Sequence, residues 1–123
     1  MNINFKKGNG LIPVIIQNNN TLQVLMLGYM NEEAYLKTIA DNKVTFFSRS
    51  KNRLWTKGEQ SGNFLLVKDI LIDCDNDTLL IRTEPIGPTC HKGTTSCFAE
   101  ETPKGFLYEL EQTITQRIAS NDE

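Results

Sequence analysis

Residues 11–29, "LIPVIIQNNNTLQVLMLGY", are two apolar, β-rich runs on either side of an Asn-rich stretch, a pattern that predicts a β-hairpin. The polarity then changes period. In "MNEEAYLKTIADN", Asn31 is placed to cap a helix, Glu32 and Glu33 fall in its first turn, and Tyr35, Leu36 and Ile39 share one face. A short amphipathic helix of about three turns is expected there. "KVTFFSRS" returns to strand, and "KNRLWTKGEQSGNF" is polar with a strand-like centre. "LLVKDILIDCD" and "TLLIRTE" read as antiparallel partners joined near Asn76 and Asp77. Pro85, Gly87, Pro88 and Gly93 then make regular structure unfavourable through the next loop. From Thr102, a capping residue followed by Pro103, apolar positions 106, 107, 110, 114 and 118 describe a C-terminal amphipathic helix. These elements predict an α+β fold, mainly antiparallel, with about two helices.

Length and charge narrow the functional classes. At 123 residues the chain is long enough for one core, but in the size range where a partner subunit often adds burial. Thirteen Lys and Arg against fifteen Asp and Glu give a net charge of −2, which argues against a general nucleic-acid binder or a reader of anionic membranes. No signal-peptide pattern or apolar run of membrane-spanning length is visible, so a cytoplasmic protein is expected.

The chemistry-bearing side chains are unevenly placed. All three cysteines and the only histidine fall within residues 73–97, together with Asp73, Asp75 and Asp77. Strand alternation is expected to put Asp73 and Asp75 on one face and Cys74 on the other, with Asp77 at the turn within reach of the aspartate side. Carboxylate oxygens suit Mg²⁺ and thiolates suit Zn²⁺, so one segment presents ligands for two metals. Cys74, Cys90 and Cys97 supply three thiolates, which leaves an open position on zinc for water. His91 is either a fourth ligand or a general base. The second role is favoured because adjacent residues of an extended loop diverge. Taken singly, a strand cysteine is commonly a small buried apolar residue, and acidic residues at a turn commonly serve only the turn.

A second group lies in "SRSKNRLWTKGEQSGNF", where Arg49, Lys51, Arg53 and Lys57 alternate with hydroxyls and glycines around Trp55. Guanidinium groups and hydroxyls bind phosphate, and an indole stacks on a base. Arg49, Arg53, Lys57 and Ser61 are expected to contact substrate, with Trp55 packing near the base. The plain alternative is a solvated cationic turn with Trp55 in the core.

The stretches "VLMLGYMNEEA", "FFSRSKNRLWTKGEQSGN", "DCDND" and "GPTCHKGTTSCF", in this order and spacing, closely resemble the phosphoribosyl-AMP cyclohydrolases of histidine biosynthesis over residues 10 to 98. They are most similar to the N-terminal half of bifunctional enzymes in which a phosphoribosyl-ATP pyrophosphohydrolase domain follows. The resemblance implies that residues 1–103 form the cyclohydrolase domain and that residues 104–123 resemble the opening helix of the second. This chain alone is then not expected to carry pyrophosphohydrolase activity. The implied reaction is hydrolysis of the N1–C6 bond of the adenine ring of phosphoribosyl-AMP, with a zinc-bound hydroxide as nucleophile and His91 moving protons. The resemblance further implies zinc on Cys74, Cys90 and Cys97, magnesium on Asp73, Asp75 and Asp77, and a compact β-rich pseudo-barrel in an intertwined homodimer whose zinc sites are shared between subunits. A nonenzymatic nucleotide- or RNA-binding module with a structural zinc is the alternative from another class. A nucleobase deaminase is disfavoured because its H-x-E and C-x-x-C patterns are missing.

Overall fold

The computed structural model describes residues 2–98. A single 3₁₀ turn, Phe5–Gly8, precedes the first hairpin, β1 (Ile12–Asn18) and β2 (Val24–Met30). The turn between these strands is organised by Asn18, whose Oδ1 accepts hydrogen bonds from the backbone N–H groups of Asn20 at 2.8 Å and Thr21 at 3.1 Å. After α1 (Glu32–Asp41) come the short hairpin β3 (Thr45–Ser48) and β4 (Arg53–Thr56), and then β5 (Leu65–Ile72) and β6 (Leu79–Pro85). Four strands form one sheet in the order β2-β1-β6-β5, and β3 with β4 forms a second. All pairings are antiparallel except that of β1 with β6. The sheets are open and joined by an isolated bridge from Lys43 to Leu66, so the expected pseudo-barrel does not close among the described residues.

Burial follows the strand period on β1, where Ile12, Val14 and Ile16 point into the core against Leu79 and Ile81 of β6. Phe46 and Val44 fill the remaining space. β2 breaks its alternation. Ile16 pairs with Met26 and Gln17 with Val24, which leaves Leu25 as the extra residue of a β-bulge. Its side chain is buried beside that of Met26. Gly28 is required farther along β2, because a Cβ there would stand 2.5 Å from the Phe46 ring.

Asn31 caps α1 as expected, its Oδ1 accepting from the N–H of Ala34 at 2.8 Å. The buried face is different from the one expected. Ala34 and Thr38, one turn apart, are fully buried, whereas Leu36 and Ile39 are 56% and 51% exposed. Thr38 determines the close approach: its hydroxyl donates to Ala34 O at 2.8 Å and accepts from Thr45 N at 3.0 Å, which ties the helix to β3. Tyr35 is half-buried beside Phe5. The C-terminal helix expected from Thr102 onwards lies outside the described residues.

Candidate active site

The two chemical groups seen in the sequence meet in one cleft of about 610 Å³. One wall is the end of β4 and the turn after it, with Arg53, Trp55, Lys57 and Ser61. The other wall is the loop Pro88–His91 with Gly93. Lys51, Arg53 and Lys57 face a single carboxylate, Glu59, so the cleft is cationic although the chain carries a net charge of −2.

Backbone constraints hold the first wall. Lys57 N donates to Val44 O at 3.0 Å, Glu59 N to Thr56 O at 3.0 Å, and Gly62 N to Gly58 O at 2.7 Å. Gly58 has φ of +91°, and a Cβ on it would stand 2.5 Å from the carbonyl carbon of Asn63. Trp55 is half-buried with its ring centroid 5.3 Å from that of Phe46, so it packs on the core while it lines the cleft. Arg53 forms an ion pair with Glu59. Arg49 stands apart: its guanidinium lies 4.5 Å over the Tyr29 ring, in a neighbouring hollow.

The second wall is fastened at both ends, beside β5 and on β2, the two edges of the four-stranded sheet. Ile86 N donates to Phe64 O at 2.8 Å, and Gly87 packs against the side chain of Asn63, where a Cβ would meet Oδ1 at 2.5 Å. Cys90 N donates to Thr94 O at 3.1 Å, and Gly93 N to Cys90 O at 2.9 Å, which makes a tight turn around His91. At its far end the loop is attached to the β2 bulge. Cys97 N donates to Leu25 O at 2.7 Å, and Ser96 Oγ donates to Val24 O at 2.7 Å. The extra residue of the bulge therefore provides an anchor for a cysteine.

Cys90 and Cys97 are brought together closely enough for their thiols to interact. The backbone N–H of Lys92, followed by the Thr94 hydroxyl, draws the Cys90 thiol below its ordinary value. Partial desolvation, followed by the neighbouring Cys90, pushes Cys97 up, although the residue as a whole is exposed. In metal-free protein, iodoacetamide should therefore modify Cys90 before Cys97 near pH 7.5, as read by peptide mass spectrometry. Equal rates would show that the difference between the two thiols does not persist in solution.

The acidic segment corrects one expectation. β5 ends at Ile72, and Asp73–Asp77 is a turn with Asn76 at φ of +61°, so strand alternation does not apply to it. Asp73 Oδ1 accepts from the N–H groups of Asp77 at 3.0 Å and Thr78 at 3.2 Å, and the first of these chiefly holds its carboxyl below the usual range. The Cys74 thiol lies 3.6 Å from Asp75 Oδ1 rather than facing away from it, and Asp77 pairs with Lys7 at 3.3 Å.

Cys74 is not brought to the other two thiols. It follows β5, whereas Cys97 hangs from β2, and these are opposite edges of the sheet. Three strand spacings of about 4.8 Å separate the edges by about 14 Å. Among the described residues, no three His, Cys, Asp or Glu side chains gather as a metal-binding group.

Sequence reasoning gave no role to Glu59, Gln60, Asn63 or Thr89, which also line the cleft. Glu59 and Asn63 line it between the expected contacts. Thr89 lines it too, fully buried and with a hydroxyl that has no partner among the described residues. An acidic residue inside a cationic run was a readable signal for Glu59. Nothing in the local pattern marks Asn63 or Thr89.

The model of the family PRA-CH, phosphoribosyl-AMP cyclohydrolase, matches residues 26–99. A protein of Bacteroides thetaiotaomicron called "Histidine biosynthesis bifunctional protein HisIE" is 60% identical over 119 residues, covering 95% of this chain and 59% of that protein. The protein of the same name from Escherichia coli K12 is 57% identical over 122 residues, with 98% and 60% covered. That from Haemophilus influenzae is 67% identical over 100 residues, with 81% and 45% covered. The chain thus spans about three-fifths of the length of the first two relatives.

Proposed function

Since the chain belongs to the phosphoribosyl-AMP cyclohydrolase family, we propose that it hydrolyses the N1–C6 bond of the adenine ring of 1-(5-phosphoribosyl)-AMP, a step of histidine biosynthesis. The observation that carries this reading is the meeting of the cationic β4 turn and the Cys90–His91 loop in one cleft. A phosphorylated purine and a hydrolytic centre require that neighbourhood.

The substrate ring is cationic because N1 carries a second ribosyl group, which makes C6 electrophilic. Arg53, Lys51 and Lys57 hold phosphate at one wall, and Trp55 offers its indole for packing near the base. Water adds to C6, the N1–C6 bond breaks, and N1 leaves with a proton to give the formimino-carboxamide ribonucleotide. His91 borders the cleft beside Cys90 and is the group assigned to take the proton of the attacking water.

The donor set fits zinc. Cys90 and Cys97 lie together, and the backbone favours thiolate at Cys90. When bound, zinc supplies Lewis acidity that makes water nucleophilic at neutral pH. One chain offers two thiols and leaves the third on the opposite sheet edge, so Cys74 would come from a second copy. Leu27 on β2, Leu36 and Ile39 on α1 and Leu71 on β5 are exposed apolar positions available to an intertwined homodimer. The Asp73–Asp77 turn offers carboxylate oxygens for magnesium, with Asp75 exposed. No helix among the described residues is long and apolar enough to cross a membrane. Soluble substrate and free thiols suit the reducing cytoplasm.

Turnover of phosphoribosyl-AMP, followed by the absorbance of ring opening, should track zinc content at about one ion per chain, the count set by three thiolates. It should vanish on chelation and return with zinc. Folded, zinc-loaded protein that fails to turn over would favour a binding module with structural zinc. His91→Ala should keep its zinc and lose kcat by roughly 10²–10⁴. A parallel loss of zinc would make His91 a ligand instead.

A further inference from the structure

Glu59 is the only carboxylate among the residues lining a cleft assigned to phosphate, and its two oxygens are both engaged. Oε1 takes the Nη2 donor of Arg53, and Oε2 accepts from Thr56 N at 3.3 Å. The side chain therefore links the guanidinium to the end of β4. The turn that presents it is closed by the Glu59 N to Thr56 O hydrogen bond and relies on Gly58 for its positive φ. Among the described residues, the Nε and Nη1 donors of Arg53 have no protein partner.

We propose that Glu59 is a positioning residue for nucleotide phosphate, holding one edge of the Arg53 guanidinium so that the remaining donors meet a phosphate monoester. This rests on the nucleotide reading of the cleft given above. The pair is about half exposed, and exposed ion pairs contribute little to stability, so its effect lies in orientation. A free arginine samples many rotamers and loses that freedom on binding, whereas a tethered one has already lost it. A carboxylate placed only to repel phosphate would not need its second oxygen fastened to the backbone.

The test is calorimetric titration of the zinc- and magnesium-loaded chain with AMP, which carries one phosphate monoester. Glu59→Ala should bind AMP roughly 5–20-fold more weakly, as expected when a charge-assisted hydrogen bond to phosphate is weakened but not abolished. Glu59→Gln keeps an acceptor oxygen and should fall between Glu59→Ala and the wild type. It also supplies the comparison should Glu59→Ala fold poorly. In an Arg53→Ala background, Glu59→Ala should add no further loss, since it acts only through Arg53. Equal or tighter binding by the Glu59 variants would overturn the positioning role while leaving the nucleotide site in place. An additive loss in the Arg53→Ala background would overturn it as well. Failure of the wild-type chain to bind AMP at all would overturn both this inference and the nucleotide reading.

Discussion

Cys90→Ala and Cys97→Ala should each lose bound zinc and reduce turnover of phosphoribosyl-AMP by at least about 10³, the scale on which a catalytic metal acts. The two thiols are held by different parts of the fold: Cys90 by the tight turn closed onto Gly93, and Cys97 by the carbonyl of the β2 bulge. Neither backbone hydrogen bond uses the side chain, so both variants should keep the fold and lose only the ligand. Zinc analysis beside a thermal melt checks this. Full activity in zinc-free variant protein would sink the metal mechanism.

The same variants test where the third thiol comes from. With Cys74 on the opposite sheet edge from Cys97, neither Cys74→Ala nor Cys90→Ala alone should be active. If the proposed homodimer shares its zinc sites, a mixed dimer of the two would hold one complete site, made of Cys74 from the Cys90→Ala chain and Cys90 with Cys97 from the Cys74→Ala chain. After random subunit exchange, half the dimers are mixed and each has one of two sites, so about a quarter of wild-type activity should return. No recovery, in protein shown to exchange subunits, would place all three thiols within one chain.

Gly58→Ala should be the most destabilising single methyl in the cleft. At φ of +91° an alanine is strained, and its Cβ would stand 2.5 Å from the Asn63 carbonyl carbon and 2.6 Å from Phe64 N. These are backbone atoms and cannot rotate away. The strain costs roughly 1–2 kcal/mol, and displacing the 58–63 turn adds a similar amount or more. At about 4–8 °C per kcal/mol, the melting temperature should fall by roughly 10–25 °C. AMP binding should weaken in any folded fraction, because Glu59 and Arg53 depend on that turn. Gly62→Ala is the control. Gly62 has φ of +80° but nothing within 4 Å of its Cβ position, so only the conformational strain remains, and about half the shift or less is expected. Equal shifts for both variants would show that the close approach to Asn63 is relaxed in solution.

Locally encoded features were legible. The β1–β2 and β5–β6 hairpins, the Asn31 cap and the irregular cysteine loop all follow from turn residues, caps and apolar runs. The buried face of α1 was not. Leu36 and Ile39 are the larger apolar residues, but the tie from Thr38 to Thr45 brings the helix so close to β3 that Ala34 and Thr38 occupy the contact. The acidic segment was read as the end of a strand running through Asp75, yet Asp73 captures the N–H groups of Asp77 and Thr78 and turns the chain.

By itself the sequence determined which chemistry the chain carries: three thiols, one imidazole, an acidic triplet and a cationic, hydroxyl-rich segment around Trp55. Ligand preference resides in side-chain identity, and hairpins reside in local pattern. Only the tertiary structure decided which groups meet. The parallel pairing of β1 with β6 joins residues more than sixty positions apart, and the Leu25 bulge lends its carbonyl to Cys97. Together they put Cys90 and His91 across a cleft from Arg53 and Lys57 and leave Cys74 on the far edge. No local periodicity reports such contacts, because they depend on how separate elements pack rather than on the order of residues within any one of them.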